Sequence, residues 1–250
     1  MRTFSSVAAA RWRDDAAEWR LTPTAVRLIT IVPFAIALIG AAAVPFRDLY
    51  AMLANEDGVA EWAQFILLVA MVALYVHIAV LLWRSDRRAL AAIHVAAAIG
   101  SLFIAGEEVS WGQRVLGFGT PDELAEINDQ GETNLHNIGI VVKMFNLVVL
   151  VICAAAITLP ILRWSGWRSA ARSLEGFVLV PPMVLIPAFA FSFGHRIIRL
   201  AFLPDVGGRA TKYAEFAELS FYFALLVFAL LARRRLIEIA TRRSAGTAAT

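Results

Sequence analysis

Residues 63–82 read AQFILLVAMVALYVHIAVLL, twenty consecutive positions without a formally charged side chain. About 20 apolar residues in a helix span the hydrocarbon core of a bilayer, because each residue advances the helix by about 1.5 Å. The rest of the 250-residue chain is similar, since 60% of its residues are hydrophobic and only 17% are charged. Soluble domains are about 25% charged. This composition excludes a single soluble domain and indicates a multi-pass membrane protein.

Six stretches approach or reach the length of a membrane span, which predicts an all-α, six-helix bundle. The stretches are residues 27–44, 62–83, 89–105, 138–162, 177–203 and 214–232. Thr22 and Pro23 offer a cap and a first-turn proline for the first helix. Three prolines predict a kink in the fifth span: Pro181, Pro182 and Pro187.

The distribution of charge predicts that both termini lie in the cytoplasm. Segments 1–27, 84–88, 163–176 and 233–250 hold 16 of the 23 Lys and Arg residues but only 6 of the 20 Asp and Glu residues. Lys and Arg accumulate in cytoplasmic loops. The predicted organisation is a cytoplasmic amphipathic segment at 1–24, a transmembrane domain at 25–232 and a basic cytoplasmic tail at 233–250. Trp12 and Trp19 are expected to anchor the first segment at the membrane surface.

The longest loop, residues 106–137, faces outward in this topology. It reads GEEVSWGQRVLGFGTPDELAEINDQGETNLHN and carries seven acidic residues against one arginine. Thr120 to Glu123 has the form of a capping box with proline at the first helical position. We therefore expect a short helix that reaches about Asn128, in a loop that is folded rather than slack.

Candidate catalytic residues lie in and near this loop. Glu107 and Glu108 leave the third span at a depth where ionised carboxylates are costly unless they are paired or hydrated. Glu132 and His136 have the i,i+4 spacing that suits a metal site, an acid–base pair or a glutamate that orients a histidine. His195 would bring a second imidazole from the fifth span.

Further polar residues are expected at the same level, either to bind substrate or to form structural ion pairs. Helical continuation of the third span would place Glu107, Trp111 and Arg114 on one side. A contact from Arg114 to Glu107 or Glu108 that only pins the loop is an equal alternative. The candidate substrate-binding residues are Arg114, Arg196, Trp111, Gln113, Asn128 and Asn134. The candidate supporting acids are Glu56, Asp57, Glu61, Glu215 and Glu218.

Three segments carry a resemblance: EDGVAEW at 56–62, GEEVSWGQRVLGF at 106–118 and NDQGETNLHN at 128–137. They resemble bacterial multi-pass inner-membrane proteins with GEE-SWGQR and N-Q-E-NLHN elements. The resemblance implies membrane topology, location in the bacterial inner membrane and a shared outward motif, but no activity. The EExxxR motif of CAAX-type glutamic proteases is not matched, because Arg114 follows Glu108 by six positions. The paired histidine motif of alkaline ceramidase-like hydrolases is missing.

Hypotheses from different classes fit these residues. One is a hydrolase or transferase that acts on a lipid or lipid-linked substrate at the outer leaflet. In such an enzyme, Glu108 or Glu132 would be the general base. His136 and His195 would be metal ligands or acid–base groups, and Arg114 or Arg196 would bind an anionic group of the substrate. The others are a proton- or cation-coupled transporter or channel, and a non-catalytic assembly subunit.

The sequence specifies no cofactor. Oxygen-rich sites favour Mg²⁺ or Ca²⁺ if any metal is bound. The basic inner segments suit anionic headgroups, so the expected partners are membrane lipids and not nucleic acid. The sequence is compatible both with a homo-oligomer and with a complex with another membrane protein.

Overall fold

A computed structural model describes residues 4–128, 133–135, 138–163, 174–202 and 209–247. The helices are α1 (Phe4–Glu18), α2 (Pro23–Ala43), α3 (Arg47–Ala54), α4 (Val59–Arg84), α5 (Arg88–Glu108), α6 (Gln113–Leu116), α7 (Asp122–Ala125), α8 (Gly139–Arg163), α9 (Leu174–Leu179), α10 (Ile186–Phe202), α11 (Arg209–Lys212) and α12 (Ala214–Thr247). Short 3₁₀ turns lie at Ser110–Gly112 and Met183–Leu185. The described residues contain no strand.

Six segments among the described residues are long and apolar enough to cross a membrane, as predicted. They are Pro23–Ala43, Arg47–Arg84, Arg88–Glu108, Gly139–Arg163, Gly176–Ala201 and Ala214–Thr241. The chain therefore has the architecture of a multi-pass membrane protein. The bundle end that holds α7 is called the loop end below, and the end that holds α1 is called the terminal end. The predicted cytoplasmic location of the termini stays a prediction.

Local sequence explains where the first spans begin and turn. The Thr22 hydroxyl accepts a hydrogen bond from the Ala25 amide at 3.1 Å, and Pro23 follows at the first helical position. This satisfies one of the amide groups that a helix start leaves without a partner. At the terminal end, Asp86 adopts a positive φ of 57° in the tight turn between α4 and α5. The two helices therefore run antiparallel.

Close packing of α4 against α5 and α12 forms the centre of the bundle. On α5, Ala91, Ala98 and Ala105 recur every seven residues and are all buried. Such small residues on one face allow two helices in a membrane to approach closely. The helix α10 packs against both α8 and α12, and α2 contacts α10 and α12. This arrangement brings the loop ends of α4, α5, α10 and α12 together.

The fifth span is broken, as its prolines predict. The helix α9 ends at Leu179, and α10 begins at Ile186 after the 3₁₀ turn. The amide of Met183 donates to the Asp15 carboxylate of α1 at 2.7 Å. The break therefore lies at the terminal end, more than two helical turns before His195.

The prediction that Trp19 anchors the chain at the membrane surface is wrong. The Trp19 side chain is fully buried at 0% exposure. Its ring makes edge contacts with Phe177 at 5.1 Å and Phe228 at 6.2 Å between centroids. Burial of the large apolar ring against these residues outweighs an interfacial position.

The predicted short helix of the loop is present but shorter than expected. It covers Asp122–Ala125 and stops before Asn128. The prediction that Thr120 caps it is wrong, because Pro121 occupies the capping position and makes no side-chain cap bond. The Thr120 hydroxyl instead accepts a hydrogen bond from the Gln113 amide at 2.8 Å.

Candidate functional site

Glu107 fastens the loop to the end of α5. Its Oε1 accepts a hydrogen bond from the Trp111 indole N–H at 2.7 Å, and its Oε2 accepts one from the Leu135 amide at 2.6 Å. The side chain is buried, at 3% exposure. Both carboxylate oxygens are therefore bonded within the protein.

The chain turns sharply after α5 and does not continue as the expected regular helix, although Trp111 still contacts Glu107 as expected. Ser110 and Trp111 have positive φ values of 46° and 55°. The turn folds the Trp111 ring back over Gly106, where a Cβ atom would lie 2.8 Å from the ring. Any larger residue at position 106 would therefore force the Trp111 ring or the adjacent backbone to shift. The Arg114 side chain lies outside the described part of the structure.

Three amide side chains of the loop, those of Gln113, Asn128 and Asn134, bond to other loop residues. Asn128 Nδ2 donates to the Asn134 backbone oxygen at 2.7 Å and to its Oδ1 at 2.9 Å. Asn134 Nδ2 donates to the Ser110 hydroxyl at 3.0 Å, and Gln113 Oε1 accepts from the Thr133 amide at 2.7 Å. These bonds hold the folded loop in shape. The amides expected to bind substrate are thus occupied by protein partners.

A second group of polar residues, the glutamate cluster, is defined by Glu61, Glu108, Glu215 and Glu218. They come from the loop ends of α4, α5 and α12. Glu108 is 9% exposed, and its Oε1 accepts a hydrogen bond from the Tyr222 hydroxyl at 3.3 Å. The other three carboxylates of the cluster act on it electrostatically. Carboxylates collected at low exposure repel one another strongly when they are ionised.

Arg196 balances one charge of the cluster. Its Nη2 lies 3.0 Å from Glu218 Oε1, its Nη1 donates to Ser192 Oγ at 2.8 Å, and its Nε donates to Asn146 Oδ1 at 3.1 Å. The Arg196 side chain is 5% exposed. Because the guanidinium is buried and bonded on three sides, it would have to give up these contacts to bind an anionic substrate group.

Gln64 joins α4 to α12. Its Nε2 donates to the backbone oxygen of Glu215 at 2.9 Å and to Glu215 Oε2 at 3.1 Å. Both of these atoms are acceptors, so the amide nitrogen must face them, and the orientation of the amide is fixed. Gln64 Oε1 is buried and has no hydrogen-bond partner within the described residues.

The remaining candidate residues lie around this cluster or apart from it. Glu56 forms an ion pair with Lys212 at 3.4 Å, and the Asp57 amide donates to Glu61 Oε2. His195 lies beside the Tyr213 ring, 5.8 Å between centroids. Its Nδ1 is buried without a hydrogen-bond partner in the described structure.

Tyr213 lies between His195 and the first span. Its hydroxyl donates to the Ala37 backbone oxygen at 2.7 Å. Burial raises the pKa of Tyr213 above its ordinary value. His195 and Tyr213 therefore form a separate aromatic contact next to the cluster.

Glu132 and His136 lie outside the described residues. Among the described residues, no group of three or more His, Cys, Asp and Glu side chains is arranged to hold a metal ion. The Mg²⁺ or Ca²⁺ that the sequence would favour if a metal is bound therefore has no ligand set among the described residues.

Sequence reasoning gave no site role to Gln64, Ser192 or Tyr222. Each lies one helical turn from a residue that it did select: Gln64 follows Glu61 by three positions, Ser192 precedes Arg196 by four, and Tyr222 follows Glu218 by four. Polar residues at these spacings share a helix face, and this pattern could have found them.

Fold and site together define a multi-pass membrane protein, helical in its described spans, with a glutamate cluster at one end in which Glu108 is buried and the other three glutamates are partly buried. No known protein family, curated protein or solved structure matches the chain. The resemblance to bacterial inner-membrane proteins therefore stays a prediction.

Proposed function

We propose that the protein is a membrane-embedded hydrolase or transferase that acts on a lipid or lipid-linked substrate at the leaflet facing the loop end. The observation that carries this proposal is the depth of the glutamate cluster. Glu108 is the last residue of α5, while Glu61 and Glu215 lie in the first turns of α4 and α12. Side chains at span ends lie near the headgroup region, where the polar bonds of lipids are found. Substrate sites of secondary transporters usually lie near the midplane of the bilayer.

Glu108 is the best placed general base. Tyr222 holds its Oε1, which orients the carboxylate and leaves Oε2 to accept a proton. Water, or the hydroxyl of an acceptor, would transfer its proton to Oε2 while its oxygen attacks the ester carbon or phosphorus of the substrate. The bond to the leaving group then breaks, and Glu108 returns the proton to the leaving oxygen. The neighbouring carboxylates favour the uptake of this proton by electrostatic repulsion.

The test is reconstitution of the purified protein with a total bacterial lipid extract, followed by mass spectrometry of the lipids. We expect a new lipid product from the unaltered protein and at least 100-fold less from Glu108→Gln, since general-base catalysis contributes about 10²–10⁴-fold. Glu126→Gln is the matched control, because Glu126 is an exposed loop acid. Absence of any lipid product from the unaltered protein would refute the proposal.

The excess of acidic groups in the cluster, four carboxyl groups against the Arg196 guanidinium, favours a second candidate function. This candidate is a proton- or cation-coupled carrier. Proton or cation flux into proteoliposomes that Glu215→Gln abolishes would support it, and no flux under any imposed gradient would exclude it. As part of the same proposal, we place the chain in a bacterial inner membrane with both termini in the cytoplasm and the loop end outside.

A further inference from the structure

The unfilled acceptor at Gln64 points to a ligand that donates hydrogen bonds. Gln64 is 0% exposed, and its Oε1 has no partner among the described residues. The nitrogen of the same amide group bonds to Glu215 Oε2 at 3.1 Å, so the Gln64 amide group lies next to that carboxylate. A buried carbonyl without a donor costs free energy comparable to a lost hydrogen bond. A bound donor would remove this cost.

The charge around this acceptor specifies the kind of donor. Near the cluster, described ion pairs join Arg196 to Glu218 and Lys212 to Glu56, and none of the described ion pairs joins Glu215 to a base. Glu61 and Glu218 add their negative charge to Glu215, while Lys212 offsets part of it from a distance. A positively charged donor therefore fits this position better than a neutral hydroxyl group.

We propose that Glu215 and Gln64 Oε1 bind a primary ammonium group carried by the lipid substrate. An ammonium group has three N–H donors and no acceptor, which matches a carboxylate beside an unfilled amide oxygen. The depth of Glu215 in the first turn of α12 suits an amine in a lipid headgroup. This inference deepens the proposed lipid-modifying function and rests on it, because it names the chemical class of its substrate.

The experiment is equilibrium binding of dodecylammonium to the full chain in phosphatidylcholine nanodiscs. Dodecyltrimethylammonium is the matched probe, because it carries the same charge and tail but has no N–H donor. We expect saturable binding of dodecylammonium at least tenfold tighter than that of the trimethyl probe. Equal affinities for the two probes would overturn the proposal. This comparison uses the unaltered protein and does not depend on any variant folding.

Variants then locate the site. Glu215→Gln removes the charge, and Gln64→Leu removes the unfilled oxygen. Each should weaken dodecylammonium binding at least tenfold, which corresponds to about 1.4 kcal/mol. Glu126→Gln should leave it unchanged. Unchanged affinity in folded Glu215→Gln and Gln64→Leu proteins would place the amine elsewhere and refute the assignment.

Competition separates a lipid amine from an inorganic cation. NaCl and MgCl₂ should displace dodecylammonium no better than choline chloride at the same ionic strength. Specific displacement by Na⁺ or Mg²⁺ would assign the site to that cation and overturn the proposal.

The inference and the proposed function fail in different ways. Ammonium binding without any lipid product would support the ammonium site and refute the proposed enzymatic function. If the protein turns over lipids without an amine, and Glu215→Gln does not change that turnover, the enzymatic function is supported and the ammonium site is refuted.

Discussion

Replacing Arg196 with methionine should destabilise the protein by about 3 kcal/mol. Arg196 is 5% exposed and lies 3.0 Å from Glu218, whose side chain is 19% exposed. Breaking a buried ion pair by removing one partner costs about 3–5 kcal/mol, because the other charge is left without compensation. The residual exposure of Glu218 places the expected cost at the lower end of this range. Asn146 and Ser192 each lose a charged hydrogen-bond donor as well.

The measurement is the free energy of unfolding in mixed detergent micelles titrated with dodecyl sulfate, arranged as a double-mutant cycle. The double variant Arg196→Met, Glu218→Leu should be more stable than Arg196→Met alone, with a coupling of about 1–3 kcal/mol. Arg88→Met is the matched control, because Arg88 and Asp86 form an ion pair with 73% and 88% exposed side chains. Such exposed pairs contribute about 0–1 kcal/mol. Equal costs for Arg88→Met and Arg196→Met, or purely additive effects at Arg196 and Glu218, would refute the reasoning.

Glu107→Gln should speed hydrogen exchange at the Leu135 amide by about tenfold or more. The Gln side chain has one acceptor oxygen, so it cannot accept hydrogen bonds from both Trp111 and Leu135 as the carboxylate does, and a lost bond costs about 1–3 kcal/mol. An unchanged rate relative to Glu126→Gln would show that the loop is held by other contacts. Trp19→Ala should destabilise the protein by about 3–5 kcal/mol in the same unfolding assay. Trp12→Ala should cost less, because Trp12 is only partly buried, and equal costs would contradict the packing of Trp19. A fluorescent protein fused to the C-terminus should fluoresce in the cytoplasm, and a phosphatase inserted in the 106–137 loop should be active outside. The reverse pattern would invert the proposed orientation.

The spans could be predicted because an apolar run in a membrane must satisfy its own backbone hydrogen bonds as a helix. Their ends were harder to predict. The sixth span was expected to stop at position 232, yet α12 continues to Thr247. Charged residues mark where a helix leaves the bilayer but do not end it. Here Glu238 forms ion pairs with Arg234 and Arg235 on the preceding turn, and these pairs support the extension.

The site was predictable in composition but not in arrangement. Neighbouring residues on a helix point about 100° apart, so Glu107 bonds with the loop while Glu108 meets Tyr222 of α12. Arg196 likewise bonds with Glu218, whereas His195 lies beside Tyr213. The rotation of each helix about its axis decides these partners. That rotation depends on side-chain packing between helices, which hydropathy does not report.

The bond between Asp15 and Met183 has a consequence for biosynthesis. The two residues are 168 positions apart, so α1 is translated long before its partner exists. Until the fifth span leaves the ribosome, the Asp15 carboxylate lacks its bond to the Met183 amide, and the Trp19 ring lacks its contact with Phe177. Docking of α1 is therefore a late event in assembly. A nascent chain truncated before the fifth span should keep α1 open to protease, and protection of α1 should report that insertion is complete.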